Sequence, residues 1–395
     1  MNPDPAPEIR HWELEPRARR SYLALCAPGG QALERVIGAP PGFAVLQERL
    51  LYRQSSLADH AFDRMGGKFG MAGHAESTVG LVICAPEVTR QVLGALTSWW
   101  REPAIGRDVL GQEVSALVDH VTLPSVRGTA ALWRQLDHQL FGSSHLTPGR
   151  PDVEALRELS VDDVMDLWQA ARALGTATVV VSPQPPPSGW PSADFLPWLT
   201  PPVGIRVAAP ARLVPPVGGT SAVCAGARAT VATTHSSALG ALGVFAALHY
   251  GRSTPEQTRF HRGLCLQDLT FQLVEHQRVG LLTARASCPG PHVEEVTELL
   301  TGLLDRPARM DGGRLKRCAR HHLEVELDNL THRVMLDARA LLSGAPSLAR
   351  RLAAVSATDP ATFETQAAQA FLGPSVLAVG TSRALATAGA GGHDD

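Results

Sequence analysis

The sequence has almost no lysine. It contains 36 basic residues, and all are arginine except Lys68 and Lys316. With the abundant alanine, glycine and proline, this bias is typical of a GC-rich genome and carries no functional information. The formal net charge is −2, so the overall charge does not favour binding to nucleic acid or to a membrane surface.

The chain also lacks the patterns of several enzyme and membrane classes. Its six cysteines include no C-x-x-C pair, and most lie in apolar runs, which predicts buried thiols in a reducing compartment. No apolar run is long enough for a transmembrane helix, and Met1–Pro7 lacks the basic and apolar parts of a secretory signal. The sequence has no G-x-S-x-G motif. We therefore expect a cytoplasmic protein that is not a serine hydrolase.

Proline separates two halves of the chain. Residues 183–202 are too rich in proline for a helix or a sheet ladder, which predicts an extended linker. The predicted domains are 1–182 and 203–382, followed by a disordered tail at 383–395 that is rich in alanine and glycine.

The second half repeats the first at an offset of about 200 residues. The segment from Cys84 to Pro103 aligns without gaps with the segment from Cys288 to Pro307. Further along, Leu159–Asp163 aligns with Val355–Asp359. Both halves mix short β-branched strands with amphipathic helices. The pattern predicts an α+β fold of two homologous domains, each a mostly antiparallel sheet packed with helices.

One amphipathic stretch, Gly42–Tyr52, carries the clearest motif. Its apolar residues recur at helical spacing, at Phe43, Leu46 and Leu50. The stretch resembles the helix of the insulinase/pitrilysin metallopeptidases, the inverzincins, whose zinc motif is H-x-x-E-H. Here that motif reads Val45-Leu46-Gln47-Glu48-Arg49, so the glutamate is kept and both histidines are replaced.

The resemblance extends over almost the whole chain. The strand near Tyr22, the motif stretch and the helix that ends at Arg101 follow the family's order in the first half. In the second half, Arg259 to Leu264 resembles the family segment L-R-E-x-x-G-L-x-Y. The family's two-domain fold is therefore implied.

The departures from the family imply that this chain is not catalytic by itself. A catalytic zinc site needs three protein ligands and one open position, but Val45 has no donor atom and the cation of Arg49 repels a metal. The family's third ligand, a carboxylate, aligns with Leu117 or Val118; Glu113 or Asp119 would serve only after a register shift. Glu48 is left without a metal-bound water to activate, and we predict that it pairs with Arg49 or Arg53.

In the second domain, family members hold the substrate with an arginine and a tyrosine. These positions fall at Arg259 and Leu266, so only the arginine is kept, as a candidate peptide-binding residue. The glycine-rich loop of the non-catalytic subunit of mitochondrial processing peptidase has no counterpart in 248–256, where Gly251 is the only glycine.

The resemblance implies a non-catalytic subunit of a heterodimeric zinc metallopeptidase. The partner would be a homologous subunit that has an intact H-x-x-E-H motif and carries the zinc. The substrate would be a peptide, for example in leader-peptide removal from a ribosomally made peptide. The alternative is a peptide-binding or scaffold protein that forms a homodimer and has no peptidase activity. Gene neighbourhood would discriminate between the two.

Two other groups of possible metal ligands stand out. His322 with Glu326, and Asp328 with His332, are spaced to share a helix face, and His321 and Glu324 lie beside them. His74 and Glu76 lie in a glycine-rich turn where we expect exposure. Solvated charges are the commoner explanation of both groups.

Overall fold

The structure is a computed structural model. It describes residues 8–101, 103, 105–122, 133, 136–142, 144–147, 151–188, 190, 198, 212–213, 221–231, 235–250, 266, 269–305 and 311–381. Within these residues, no helix combines the length and the apolar composition needed to cross a bilayer. The described chain contains two five-stranded sheets, mostly antiparallel and packed with helices, which confirms the predicted α+β class.

The elements are numbered in chain order. Strands β1 to β10 are Glu8–Leu14, Ser21–Pro28, Lys68–Gly73, Ser77–Cys84, Thr176–Ser182, Arg212–Leu213, Ser221–Val231, Thr270–Glu275, Val279–Pro289 and Phe371–Thr381. Helices α1 to α12 are Gly30–Ile37, Phe43–Arg64, Thr89–Arg101, Arg107–Thr122, Val153–Glu158, Val161–Ala173, His235–Tyr250, Val293–Asp305, Gly312–Asp328, Leu330–Ser343, Leu348–Ala357 and Pro360–Gln369.

The chain forms two compact units. Unit 1 comprises Met1–Asp119, Gly149–Pro201 and Glu324–Arg350, and unit 2 comprises His120–Pro148, Pro202–Leu323 and Arg351–Asp395. Neither unit is a contiguous half of the sequence, so the unit boundaries differ from the predicted 1–182 and 203–382. The difference arises because α10, from the second half of the sequence, packs against β2 and β5 of the first half.

The sheet of unit 1 has the order β1-β5-β2-β4-β3, in which only β1 and β5 are parallel. Side chains of a strand alternate between the two faces of its sheet. In β2, Leu23 and Leu25 join a core with Trp168 on one face, and Ala24 and Cys26 join a core with α10 on the other. Because both faces are covered, the strand is apolar along most of its length.

The sheet of unit 2 has the order β6-β10-β7-β9-β8, with only β6 and β10 parallel. Helix α8 packs against β7, β9 and β10, and α7 packs against α12. Two glycines of α7 allow α7 and α12 to pack closely. A Cβ on Gly243 would lie 2.4 Å from the Phe363 ring, and one on Gly240 would lie 2.4 Å from a backbone oxygen of Gln366.

The predicted repeat is visible in the elements themselves. In unit 1, β4 leads through a 3-10 turn, Pro86–Val88, into α3. In unit 2, β9 leads through a 3-10 turn, Gly290–His292, into α8. The helices α3 and α8 each have 13 residues. The same strand–turn–helix segment is therefore used once in each unit.

Candidate functional site

The motif helix, α2, is directly preceded by a glycine in the left-handed conformation. Gly42 has a φ of 96°, and a Cβ there would lie 2.6 Å from the Pro151 Cβ. One oxygen of Glu34 accepts hydrogen bonds from the backbone N–H groups of Gly42 and Ala44, both at 2.9 Å. Burial raises the pKa of Glu34, and these two hydrogen bonds oppose the shift. A buried carboxylate thus caps the positive end of the helix.

The helix has the amphipathic character that its sequence predicts. Phe43, Leu46 and Leu50 are buried, whereas Val45 is 44% exposed. Gln47 is an exception on the buried side, since it is 1% exposed and neither of its side-chain polar atoms makes a hydrogen bond. The first histidine position of the motif is therefore an exposed aliphatic side chain.

Glu48 pairs with neither Arg49 nor Arg53, both of which bind Glu113, so that prediction is wrong. Its Oε1 instead accepts a hydrogen bond of 3.2 Å from the Thr78 hydroxyl on β4. The end of β3 passes close by, because a Cβ on Gly73 would lie 2.1 Å from the same oxygen. Burial raises the pKa of Glu48 to about 7, the Thr78 hydrogen bond opposes the rise, and the negative charge of Glu34 adds to it.

Arg49, at the second histidine position, is held by a carboxylate from α4. Its Nε lies 3.0 Å from Oε2 of Glu113. The other oxygen of Glu113 lies 2.8 Å from Nη1 of Arg53, one turn further along α2. Glu113 is 8% exposed, and it bridges two cations spaced i, i+4 on one helix. An arginine–carboxylate cluster therefore occupies this end of the motif.

These residues do not fit a catalytic zinc ion. Zinc needs nitrogen, sulfur or oxygen donors, and Val45 has none, while Arg49 presents a permanent cation that is already bonded to Glu113. Neither Leu117 nor Val118 has a donor atom in its side chain, so neither can bind a metal. Leu117 is a buried core residue, 2% exposed. The carboxylate that contacts the motif helix is that of Glu113, which lies four residues before Leu117 and five before Val118, the aligned ligand positions.

The other candidate residues do not gather into one group. The structure contradicts a shared helix face for Asp328 and His332, because α9 ends at Asp328 and Asn329 caps α10. The His332 ring lies 3.1 Å from Glu326 instead. The His322 ring faces the hydroxyl of Tyr250 at 3.2 Å. In the part of the chain that is described, no three histidine, cysteine or acidic side chains are placed to hold a metal.

Two further predictions need comment. His74 and Glu76 lie between β3 and β4, where the His74 N–H bonds the Ser77 carbonyl at 2.8 Å. Glu76 is 6% exposed, so its predicted exposure is wrong. Arg259 lies outside the described residues, and so does the tail at 383–395.

Sequence reasoning missed several partners of the motif helix. Glu34 and Thr78 are on other elements, and no local pattern marks them as neighbours of Gly42 or Glu48. A weak signal for Glu113 was present, because two arginines at i, i+4 on one helix repel each other and a nearby carboxylate relieves that repulsion.

Comparison with known proteins finds similarity in structure only. No protein-family model matches the sequence, and no curated protein matches it. A crystal structure titled as a peptidase M16 inactive domain from Pseudomonas fluorescens superposes with a TM-score of 0.70 at 12% identity, covering 95% of each chain. A protease from Helicobacter pylori gives a TM-score of 0.73 at 12% identity, covering 95% of this chain and 97% of its own.

The periplasmic protease PqqL from Escherichia coli is also similar. Its TM-score is 0.66 at 10% identity, and the match covers 92% of this chain but 43% of PqqL. Together these structures confirm the fold that the motif resemblance implied, that of the insulinase-like M16 peptidases, with a degenerate zinc motif in this chain. At these identities they show the fold alone.

Proposed function

We propose that this chain is a non-catalytic subunit of a heterodimeric zinc metallopeptidase. The catalytic partner is a homologous chain that has an intact H-x-x-E-H motif and binds the zinc. This chain contributes to the wall of the peptide-binding chamber, and Arg259 contacts the peptide. Leader-peptide removal from a ribosomally made peptide, in the cytoplasm, is the proposed setting.

One observation carries the proposal. The fold of the peptidase is kept over 95% of the chain, while the motif position next to Glu48 holds Arg49 in an ion pair with Glu113. A fold that is kept without its metal ligands supports a role in assembly and recognition. The similarity to an M16 structure titled as an inactive domain also supports this role.

The test is co-expression with a homologue that has an intact zinc motif and whose gene lies next to the gene of this chain. We expect the two chains to co-purify in equal amounts, with one zinc per pair. We also expect the pair to cleave a peptide that neither chain cleaves alone. A pair whose partner has glutamine at its motif glutamate is the matched control, because it should assemble and stay inactive.

Two results would overturn the proposal. The first is a partner that is fully active alone and never co-purifies with this chain. The second is one tightly bound zinc per copy of this chain expressed by itself. A stable homodimer that binds peptides without cleaving them would instead establish the alternative, a scaffold protein.

A further inference from the structure

Unit 2 contains a cavity that none of the motif residues line. Its volume is about 320 Å³, and its lining comprises Trp133, Thr270, Phe271, Gln272, Thr283 and Arg285. Five of these six residues belong to the edge strand β8 and its neighbour β9, and the sixth is a tryptophan from the 120–148 segment of the same unit.

The register of the two strands brings the polar lining residues together. Thr270 of β8 pairs with Arg285 of β9, and Gln272 pairs with Thr283. Directly paired residues, and residues two apart on one strand, lie on the same face of a sheet. One face therefore presents a guanidinium, two hydroxyl groups and an amide. The Thr283 hydroxyl already donates to the Gln272 backbone carbonyl at 3.3 Å.

Arg285 has no partner among the described residues. Its Nε is buried and makes no hydrogen bond, and no carboxylate lies within ion-pair distance of it in the described part of the chain. The acidic residue of β8, Glu275, is bonded to Arg351 at 2.6 Å. A buried donor without a partner is unfavourable, so the Nε of Arg285 is available to a ligand that enters the cavity.

A second arginine of the same sheet provides the contrast. Arg228, on β7, donates to the Leu304 carbonyl at 2.9 Å and lies over the Phe371 ring at 5.1 Å. It also lies near Asp305, at 3.9 Å. Within the described part of the chain, Arg228 therefore has internal partners, whereas the Nε of Arg285 has none.

We propose that this cavity binds a carboxylate carried on an apolar group, and that its source is the C-terminal end of a peptide. A guanidinium offers a planar pair of donors that matches a carboxylate. The cavity has a single cation among its lining residues, which suits a monoanion better than a phosphate. Trp133 supplies an apolar surface beside the charge. The Thr270 hydroxyl is a further donor or acceptor for the ligand.

The test measures binding to the full chain alone, so it does not depend on the peptidase partner. Isothermal titration uses acetyl-Ala-Ala-Leu with a free carboxylate, the same peptide as its C-terminal amide, acetyl-Ala-Glu-Leu-amide, and inorganic phosphate. We expect the free acid to bind at least about tenfold more tightly than its amide, because a hydrogen bond to a charged group is lost in the amide. Binding of the Glu peptide as tight as that of the free acid would assign the site to acidic side chains instead.

Variants connect the binding to the cavity. Arg285→Gln should weaken binding of the free-acid peptide about tenfold or more. Arg285→Lys should lose less affinity, because lysine keeps the positive charge but lacks the planar guanidinium. Arg278→Gln removes a cation from the turn before β9, outside the cavity lining, and should leave binding unchanged. If Arg285→Gln and Arg285→Lys both bind like the parent chain, or if the acid and its amide bind equally, the proposal is wrong. Phosphate binding as tight as that of the acid would also overturn it.

Discussion

Glu48 lies where its neutral form is favoured. It is flanked by the close backbone of Gly73 and by a single hydroxyl donor from Thr78. Glu34, which caps the same helix, adds repulsion between negative charges. Thr78 and Glu34 both belong to unit 1, and the pKa of about 7 is a property of this chain before any partner binds.

The raised pKa predicts how stability changes with pH. Between the ordinary value of 4.5 and the folded value of about 7, the folded chain binds more protons at Glu48 than the unfolded chain. Its contribution is therefore greatest below pH 4.5 and is lost as the pH rises through 7. Glu48→Gln should raise the free energy of unfolding at pH 8 by about 1–3 kcal/mol and flatten its pH dependence in this window.

Urea unfolding of the parent and Glu48→Gln chains from pH 4.5 to 8 would measure the effect. Asp163→Asn is the control, since Asp163 is exposed and its hydrogen bonds with Ser160 hold its pKa low. That variant should lose stability at neutral pH and leave the slope between pH 4.5 and 7 as it is. A parallel slope for Glu48→Gln would show that Glu48 titrates normally.

At the scale of elements, Glu113 joins α4 to α2 through Arg49 and Arg53. The carboxylate is buried while both arginines are partly exposed, so the cluster is screened on its cationic side. The alignment with the family places Leu117 or Val118 at the third ligand position, whereas the carboxylate that contacts α2 from α4 is Glu113. The carboxylate that a metal would need is present, and it is paired with arginine instead.

The cluster predicts the outcome of restoring the motif. The double variant Val45→His/Arg49→His should bind zinc, because it places two imidazoles at i, i+4 on α2 near the carboxylate of Glu113. Adding Glu113→Gln should weaken that affinity at least about tenfold. Adding Leu117→Ala instead should leave zinc affinity unchanged, although it weakens the core. The zinc content after dialysis against a chelator would measure both effects, and equal loss from the two additions would contradict the assignment of Glu113.

At the scale of the whole molecule, the proposed function rests on assembly. Arg259 is the residue that the family resemblance places at the substrate, and its role can be tested only in the complex. In the co-expressed pair, Arg259→Ala should raise KM for the peptide by about tenfold or more, because a charged hydrogen bond to the substrate is lost. Arg252→Ala, seven residues earlier in the sequence, serves as the control. An unchanged KM in Arg259→Ala would remove Arg259 from peptide recognition.

Local patterns in the sequence indicate the motif helix, because the apolar spacing within Gly42–Tyr52 predicts a helix and α2 begins at Phe43. Ser160 and Asp163 form the capping box that starts α6, and they lie in the run Leu159–Asp163 that the repeat aligns with Val355–Asp359. The amphipathic stretch that the sequence shows ends at Tyr52, but α2 runs unbroken to Arg64. Serine costs a helix interior only a few tenths of a kcal/mol, so nothing there ends the helix. Strand β3 contains two glycines, Gly70 and Gly73, which weaken a strand locally, and its pairing with β4 forms the strand.

The sequence by itself determined that the chain is duplicated and that its zinc motif has lost both histidines. These conclusions depend on residue identity and on spacing along the chain. Only the tertiary structure decided that Arg49 pairs with Glu113, that Glu48 is a carboxylate with a raised pKa, and that Arg285 has no partner among the residues that the structure describes. Each of these depends on contacts between elements that are distant in the sequence. Arg49 and Glu113, for example, are 64 residues apart. Burial and charge pairing arise only when those elements pack together.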